Sequence, residues 1–288
     1  RSPYRFGDYG YFSKTEKGKS YNIFCRTPWG KPGPVEVLLD LNQLAEGQAY
    51  CAIGTFDVSP DGKWLAYGLD TTGYRQYRLH FKNLQTGELS PEIPERVTSV
   101  CWAQDSKTVF FTTEDPVTKR RDKFWQHTVG QSESRLLFDE KDELFDVACS
   151  PSRNQELVLL HSVSKTSTEC LYRSNDASQQ SLKVLRPRKQ GLEYSADFFE
   201  NRFVIRSNEG SDTFCLVEAS LEEPQKWESL LTLPSGSQVD DFCLFPGRIA
   251  VMGRREGIPN LLLFDSQSKK IQIIEFPEQV RSLVLAEN

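Results

Sequence analysis

FDVSPDGKWLAYGLD, Phe56 to Asp70, places two apolar runs on either side of Pro60-Asp61-Gly62. Alternating apolar residues that stop at a Pro-Asp-Gly turn and resume as Trp64-Leu65-Ala66-Tyr67 read as two antiparallel strands joined by a tight turn. The fold depends on whether this hairpin is one of a kind or one copy of a repeating unit.

It repeats. TSVCWAQDSKTVFFTTED (Thr98 to Asp115), FDVACSPSRNQELVLLHS (Phe145 to Ser162), YSADFFENRFVIRSNEG (Tyr194 to Gly210) and DDFCLFPGRIAVMGRREG (Asp240 to Gly257) each run strand, polar turn, strand, and SPYRFGDYGYFSKTEKG opens the chain with a shorter version. A third strand follows each hairpin (YNIFCRT, QYRLHFKN, KFWQHTV, CLYRS, TFCLVEA, NLLLFD). A fourth follows most of them (VEVLLDL, SRLLFDE, LKVLR, WESLLTL, IQIIEF), with ELSPEIPE the poorest match. Four strands recurring at roughly 46 residues predict the blades of a β-propeller, because a sheet that is apolar on both faces needs a neighbour on each side. Helical periodicity is nearly absent, and LDLNQLAEGQ near Leu41 reads as a turn-rich connection. The expected fold is all-β: six four-stranded blades, then the first strand of a seventh at Val280 to Ala286. That pattern is a truncated seven-bladed propeller or, alternatively, a smaller ring closed by the last strand.

The chain has 288 residues and a net charge of -5 with both signs interspersed, which gives no basic face for nucleic acid. Apolar runs such as LVLLH and NLLLF are strand-sized, so no membrane span is expected. The seven cysteines are scattered and never spaced as CxxC. They read as reduced, buried thiols of a cytoplasmic protein, with a disulfide or a reactive thiol as the other readings. Cys101, Cys149 and Cys243 read as equivalent core positions of their first strands. RSPYRFGDYG is neither a signal peptide nor a start at Met, so the sequence reads as a segment of a longer protein.

LLDLNQLAEG, FDVSPDGKWLAYGLDTTGYRQYRLHFKNLQTGE, ERVTSVCWAQDSKTVFFTTED and FPEQVRSLV together resemble the propeller of the prolyl oligopeptidase family of serine peptidases. RQY (Arg75 to Tyr77), TKR (Thr118 to Arg120) and STECL (Ser167 to Leu171) resemble the oligopeptidase B branch. The resemblance runs from about Tyr4 to Leu285 and implies a cytosolic peptidase that cleaves short peptides after Lys or Arg. It implies a propeller that caps an α/β-hydrolase domain, and residues 1–288 would be the propeller alone, as one domain. By resemblance Arg75 is an interdomain contact. The loop that holds Glu114, Asp115 and Arg120 shares its rim, where acidic groups could assist in selecting basic substrates. An acidic residue that some relatives carry beside that arginine is Ala49 here.

The residues themselves offer no catalytic set. No GxSxG pentapeptide occurs, and PSGSQ at Pro234 lies between strands. His80, His127 and His161 fall in strands of different blades and read as packing residues, since a general base needs a hydroxyl or thiol partner and a third group to orient it. The carboxylate pairs Asp57 with Asp61, Asp240 with Asp241, and Glu114 with Asp115 read as turn or edge residues and not as a calcium loop. TKRRDK at Thr118 reads as a solvated loop. No cofactor or metal is expected. Two functions remain at this point: the substrate-gating propeller of a peptidase, silent on its own, or a free-standing propeller that binds proteins or peptides.

Overall fold

A computed structural model describes residues 3–93, 96–179, 181–210, 213–231, 233, 236–277 and 283–285. They form six four-stranded antiparallel sheets, each from four strands consecutive in the chain. Sheet one holds β1 (Tyr4–Phe6), β2 (Tyr9–Lys14), β3 (Ile23–Pro28) and β4 (Glu36–Asp40). After α1 (Leu41–Leu44), sheet two holds β5 (Ala52–Val58), β6 (Trp64–Asp70), β7 (Arg78–Asn83) and β8 (Leu89–Ile93). Sheet three holds β9 (Val97–Trp102), β10 (Thr108–Glu114), β11 (Arg121–Thr128) and β12 (Ser134–Asp139). Sheet four holds β13 (Asp146–Pro151), β14 (Leu157–Val163), β15 (Thr168–Ser174) and β16 (Lys183–Val184). Sheet five holds β17 (Tyr194–Phe199), β18 (Arg202–Ser207), β19 (Cys215–Ser220) and β20 (Glu228–Leu231). Sheet six holds β21 (Ser237–Phe245), β22 (Arg248–Arg255), β23 (Ile258–Asp265) and β24 (Ile271–Ile274).

The opening hairpin is β5 and β6, and its turn recurs in detail. Ser59 N–H donates to the Trp64 carbonyl at 2.9 Å, and Gly62 N–H to the Ser59 carbonyl at 2.8 Å. Ala103 and Thr108 repeat the first bond at 2.8 Å, as do Ser152 and Leu157. The residue that must turn left-handed is Gly62 (φ 69°), Ser106 (φ 56°) or Gln155 (φ 62°), so only the first copy uses the residue that adopts this conformation without steric cost. In each copy the side chain just before it, from Asp61, Asp105 or Asn154, accepts the N–H two residues on, at 3.1, 2.9 and 3.2 Å respectively.

This register corrects one expectation. Cys101 lies two residues before the first turn residue Ala103, but Cys149 lies three before Ser152. Alternation therefore points the two thiols to opposite faces, and they are not equivalent. Three further differences are local. LDLNQLAEGQ contains one helical turn, α1, capped by the Asp40 carboxylate on Asn42 N–H. LSPEI of the poorest match is a full strand, β8. Within TKRRDK, Arg121, Asp122 and Lys123 already belong to β11. Of the predicted strand Val280 to Ala286, residues 280–282 and 286 lie outside the described residues, and 283–285 are not in a strand.

Contacts group the chain into two compact units, residues 1–150 with 176–178, and residues 151–175 with 179–287. In the first, sheet two is buried on both faces. Leu65 and Tyr67 enter one core with Tyr11, Leu38, Leu39 and Val58, while Ala66, one residue along, enters another with Phe81, Trp102, Val109 and Phe111. That division explains why WLAY shows no polar alternation: every position faces a core. A fully buried leucine such as Leu65 contributes about 1.5–3 kcal/mol. In the second unit sheet five behaves alike, with Phe203 and Ile205 packed against Tyr172 and Leu159 while Val204 packs with Ile249 and Val251.

Candidate functional site

Sheet two ends opposite its tight turn in the connection 71–77 between β6 and β7, the connection that holds Arg75. The organiser of this loop is Asp70, whose exposure is 0%. Its Oδ1 accepts the Thr72 N–H at 2.8 Å and the Thr72 hydroxyl at 2.6 Å, and its Oδ2 accepts the Arg75 N–H at 2.8 Å. Burial pushes the Asp70 pKa up, but the hydrogen bonds from Thr72, Arg75 and Gly73 outweigh it and hold the carboxyl below its ordinary value. Gly73 at φ 79° and Arg75 at φ 59° both turn left-handed. The loop thereby presents Tyr74, 79% exposed, beside the exposed Arg75, and the Arg75 guanidinium makes no hydrogen bond or ion pair among the described residues.

The next connection on the same edge, 115–120, leads from β10 to β11. The two are stitched together by the start of β9: Val97 N–H donates to the Tyr77 carbonyl at 2.9 Å, and Glu114 N–H to the Arg96 carbonyl at 3.0 Å. Here the predicted side chains are engaged. Glu114 pairs with the Arg96 guanidinium at 3.3 Å. Asp115 accepts the N–H groups of Val117 and Thr118, both at 2.8 Å, and these bonds hold its carboxyl below the usual range. Arg120 donates to the carbonyls of Asp142, Phe145 and Glu140 at 3.2, 3.1 and 2.9 Å, which ties the β12–β13 connection to this loop. Of the four predicted residues, Arg75 is the one whose side chain makes no hydrogen bond or ion pair among the described residues.

The histidines pack. His80 stacks on Tyr67 at 5.2 Å, and His127 stacks on Phe81 at 5.7 Å with Nδ1 at 3.2 Å from the Ser134 hydroxyl. Burial lowers the His161 pKa to about 4. None of the seven cysteines is in a disulfide, and six of them are buried. Asp57 and Asp61 sit in opposite environments. Burial raises the Asp57 pKa to about 7 against hydrogen bonds from the Trp102 and Val58 backbone. For Asp61 the bonds from Ser59 and Lys63 prevail over burial and lower it. Asp240 binds Gln238 and Arg254, whereas Asp241 accepts the Phe242 N–H. Among the described residues no group of three or more His, Cys, Asp or Glu could hold a metal ion. No helix among them is long and apolar enough to cross a membrane.

Asp70, Tyr74 and Arg96 were not singled out by the sequence reading. A signal existed for the first, since Asp-Thr-Thr-Gly is turn chemistry in which a carboxylate caps the N–H two residues on.

The family model for the prolyl oligopeptidase N-terminal beta-propeller domain matches residues 1–287. Dipeptidyl aminopeptidase BI of Pseudoxanthomonas mexicana is 30% identical across 99% of this chain and 42% of that protein. Protease 2 of Moraxella lacunata is 27% identical across 93% of this chain and 40% of its own length. Among solved structures, oligopeptidase B from Leishmania major superposes with a TM-score of 0.90 at 25% identity, over 96% of this chain and 42% of that one. Oligopeptidase B from Trypanosoma brucei, in a closed form with covalently bound antipain, gives 0.87 at 26% identity, over 96% and 41%. The chain therefore spans about two fifths of the length of the relatives it matches. With its blade repeat matched from end to end, the chain belongs to the prolyl oligopeptidase family, as the N-terminal β-propeller domain of that family.

Proposed function

We propose that this chain is the substrate-gating propeller of an oligopeptidase B-like serine peptidase that cleaves short peptides after Lys or Arg. In this reading it is silent by itself, works in the cytoplasm, and partners an α/β-hydrolase domain of the same polypeptide. The observation that carries the reading is the match along nearly the whole chain to proteins more than twice its length. Sheet six is consistent with further chain beside it. Its row of Cys243, Ala250, Leu263 and Gln272 and its row of Asp241, Met252, Leu261 and Ile274 form a face, apolar at all but Asp241 and Gln272, opposite the one that packs on sheet five. A seventh sheet would cover that face.

Arg75 then takes the role of an interdomain contact. A guanidinium suits it because its planar fork holds a carboxylate bidentately and releases it when the domains part. Glu114, Asp115 and Arg120 shape the adjoining loop on the same edge.

The test compares this chain with the full polypeptide on reporter peptides that end in Arg or Lys. The full protein should turn them over and the isolated chain should not. Hydrolysis by the purified chain that a serine-reactive phosphonate abolishes would overturn the reading, as would a full protein indifferent to the basic residue.

A further inference from the structure

A second arginine, in the other compact unit, is held in a different way. Arg206 lies near the end of β18, and its Nε donates to the Val239 carbonyl at 2.8 Å. Its guanidinium lies over the Phe214 ring, 3.6 Å from the centroid. The strand that supplies Val239 is fixed to the same corner, because Val239 N–H donates to the Phe214 carbonyl at 3.0 Å. One edge and one face of the guanidinium are thus committed, and the Nη edge makes no hydrogen bond among the described residues. The group is half-buried, and burial lowers its pKa against the fields of Asp240, Asp241 and Glu193. Two of those acids are occupied, Asp240 by Gln238 and Arg254, and Asp241 by the Phe242 N–H. The Glu193 carboxylate has no hydrogen bond among the described residues, although its backbone is fixed through Asn208.

A guanidinium immobilised through Nε and one face loses little freedom when its Nη fork meets a carboxylate, which is the condition for a strong, oriented ion pair. A free acid close by favours a ligand that carries a cation next to that carboxylate. We propose that Arg206 receives the C-terminal carboxylate of a short peptide, and that Glu193 takes the basic side chain of the peptide's last residue. Glu193, Arg206, Phe214 and Val239 all belong to the second compact unit, so the site does not depend on Arg75.

The probes are the tripeptide Ala-Ala-Lys as free acid, the same peptide as C-terminal amide, and Ala-Ala-Ala as free acid, titrated calorimetrically into this chain. The net charge of -5 works against any carboxylate ligand, so a preference for the acid reports a local site. The free acid of Ala-Ala-Lys should bind about tenfold or more tightly than the amide, as a charge-assisted pair requires. Arg206→Lys, which keeps the charge but not the fork or the Nε bond, should bring acid and amide within about twofold. Glu193→Gln should remove the advantage of Ala-Ala-Lys over Ala-Ala-Ala and spare the acid preference. Equal affinity for acid and amide, no binding of either, or an unchanged ratio in Arg206→Lys overturns the proposal. Should Arg206→Lys not fold, the Arg206 side-chain N–H resonances of the wild-type chain decide it: they must shift with the acid and not with the amide.

Discussion

The two ends of sheet two are built with the same device and put to opposite uses. At the hairpin turn the Asp61 carboxylate accepts the Ser59 hydroxyl and the Lys63 N–H, and the Asp61 N–H donates to the Ser106 hydroxyl of the next hairpin. The Gly62 carbonyl is taken by Arg26, whose guanidinium also pairs with Glu36 and lies over Tyr9. These groups are bonded to one another and to the neighbouring sheets, and the turn serves the fold. At the other end Asp70 gathers Thr72 and Arg75 in the same manner, yet the side chains it holds in place, Tyr74 and Arg75, face outward without polar partners among the described residues. Here a buried carboxylate organises a loop whose aromatic and cationic side chains stay unused, and Tyr and Arg are the residues that dominate interfaces, which is the contrast behind the proposed role of Arg75.

The largest expected effect tests the organiser. Asp70→Ala leaves the donors of Thr72 and Arg75 without their acceptor and should destabilise this chain by about 3 kcal/mol, with faster amide exchange across 71–76. A fall under about 1 kcal/mol would show that the loop holds its shape without Asp70. The Asp70 pKa is lowered on folding, so its contribution is full above the ordinary carboxylate value of about 3.9 and fades as pH falls through the native pKa. In thermal melts below about pH 4 the wild type should therefore lose stability more steeply than Asp70→Asn. Asp57 has the opposite sign: with a native pKa of about 7 its ionisation costs stability as pH rises from about 4 to 7. Asp57→Asn should accordingly raise the melting temperature more at pH 8 than at pH 4, and the reverse order would remove the assigned burial.

Next in size is the left-handed position of each end. Gly62→Ala, at φ 69°, should cost about 1–2 kcal/mol in denaturant unfolding. Arg75→Gly, at φ 59°, relieves a strained residue and should be neutral or stabilising by up to about 1 kcal/mol. A clear loss of stability in Arg75→Gly would mean that the arginine serves its own sheet. Asp61→Ala should fall near 1 kcal/mol, because the turn keeps its backbone bonds and Arg26.

Much of the fold was legible because the repeat is written in side chains that face two cores. WLAY in sheet two and FVI in sheet five announce sheets covered on both sides, and the turn residues fix the hairpin register. The equivalence of Cys101 and Cys149 was misread because hydrophobic strand text looks the same after a one-residue slip, and hydrogen bonds alone locate the turn. Strand β8 was obscured by Pro91, which an outer edge strand tolerates because its N–H side needs no partner. The site was less legible. RQY pointed to Arg75 through resemblance, but nothing in the sequence distinguishes it from Arg120, whose donors are spent on three backbone carbonyls of another connection. Such pairings depend on residues twenty or more positions away, and sequence spacing does not encode them.

The contrast between the two ends is tested most directly by one pair of numbers for Arg75→Ala: the melting temperature of this chain, and kcat/KM of the full polypeptide on a peptide reporter ending in Arg. The account predicts a melting temperature unchanged to within about 1 °C, as for a surface side chain without partners, and kcat/KM lower by about tenfold or more through loss of a docking contact. Unchanged kcat/KM together with a clearly lower melting temperature would contradict it and return Arg75 to its own sheet.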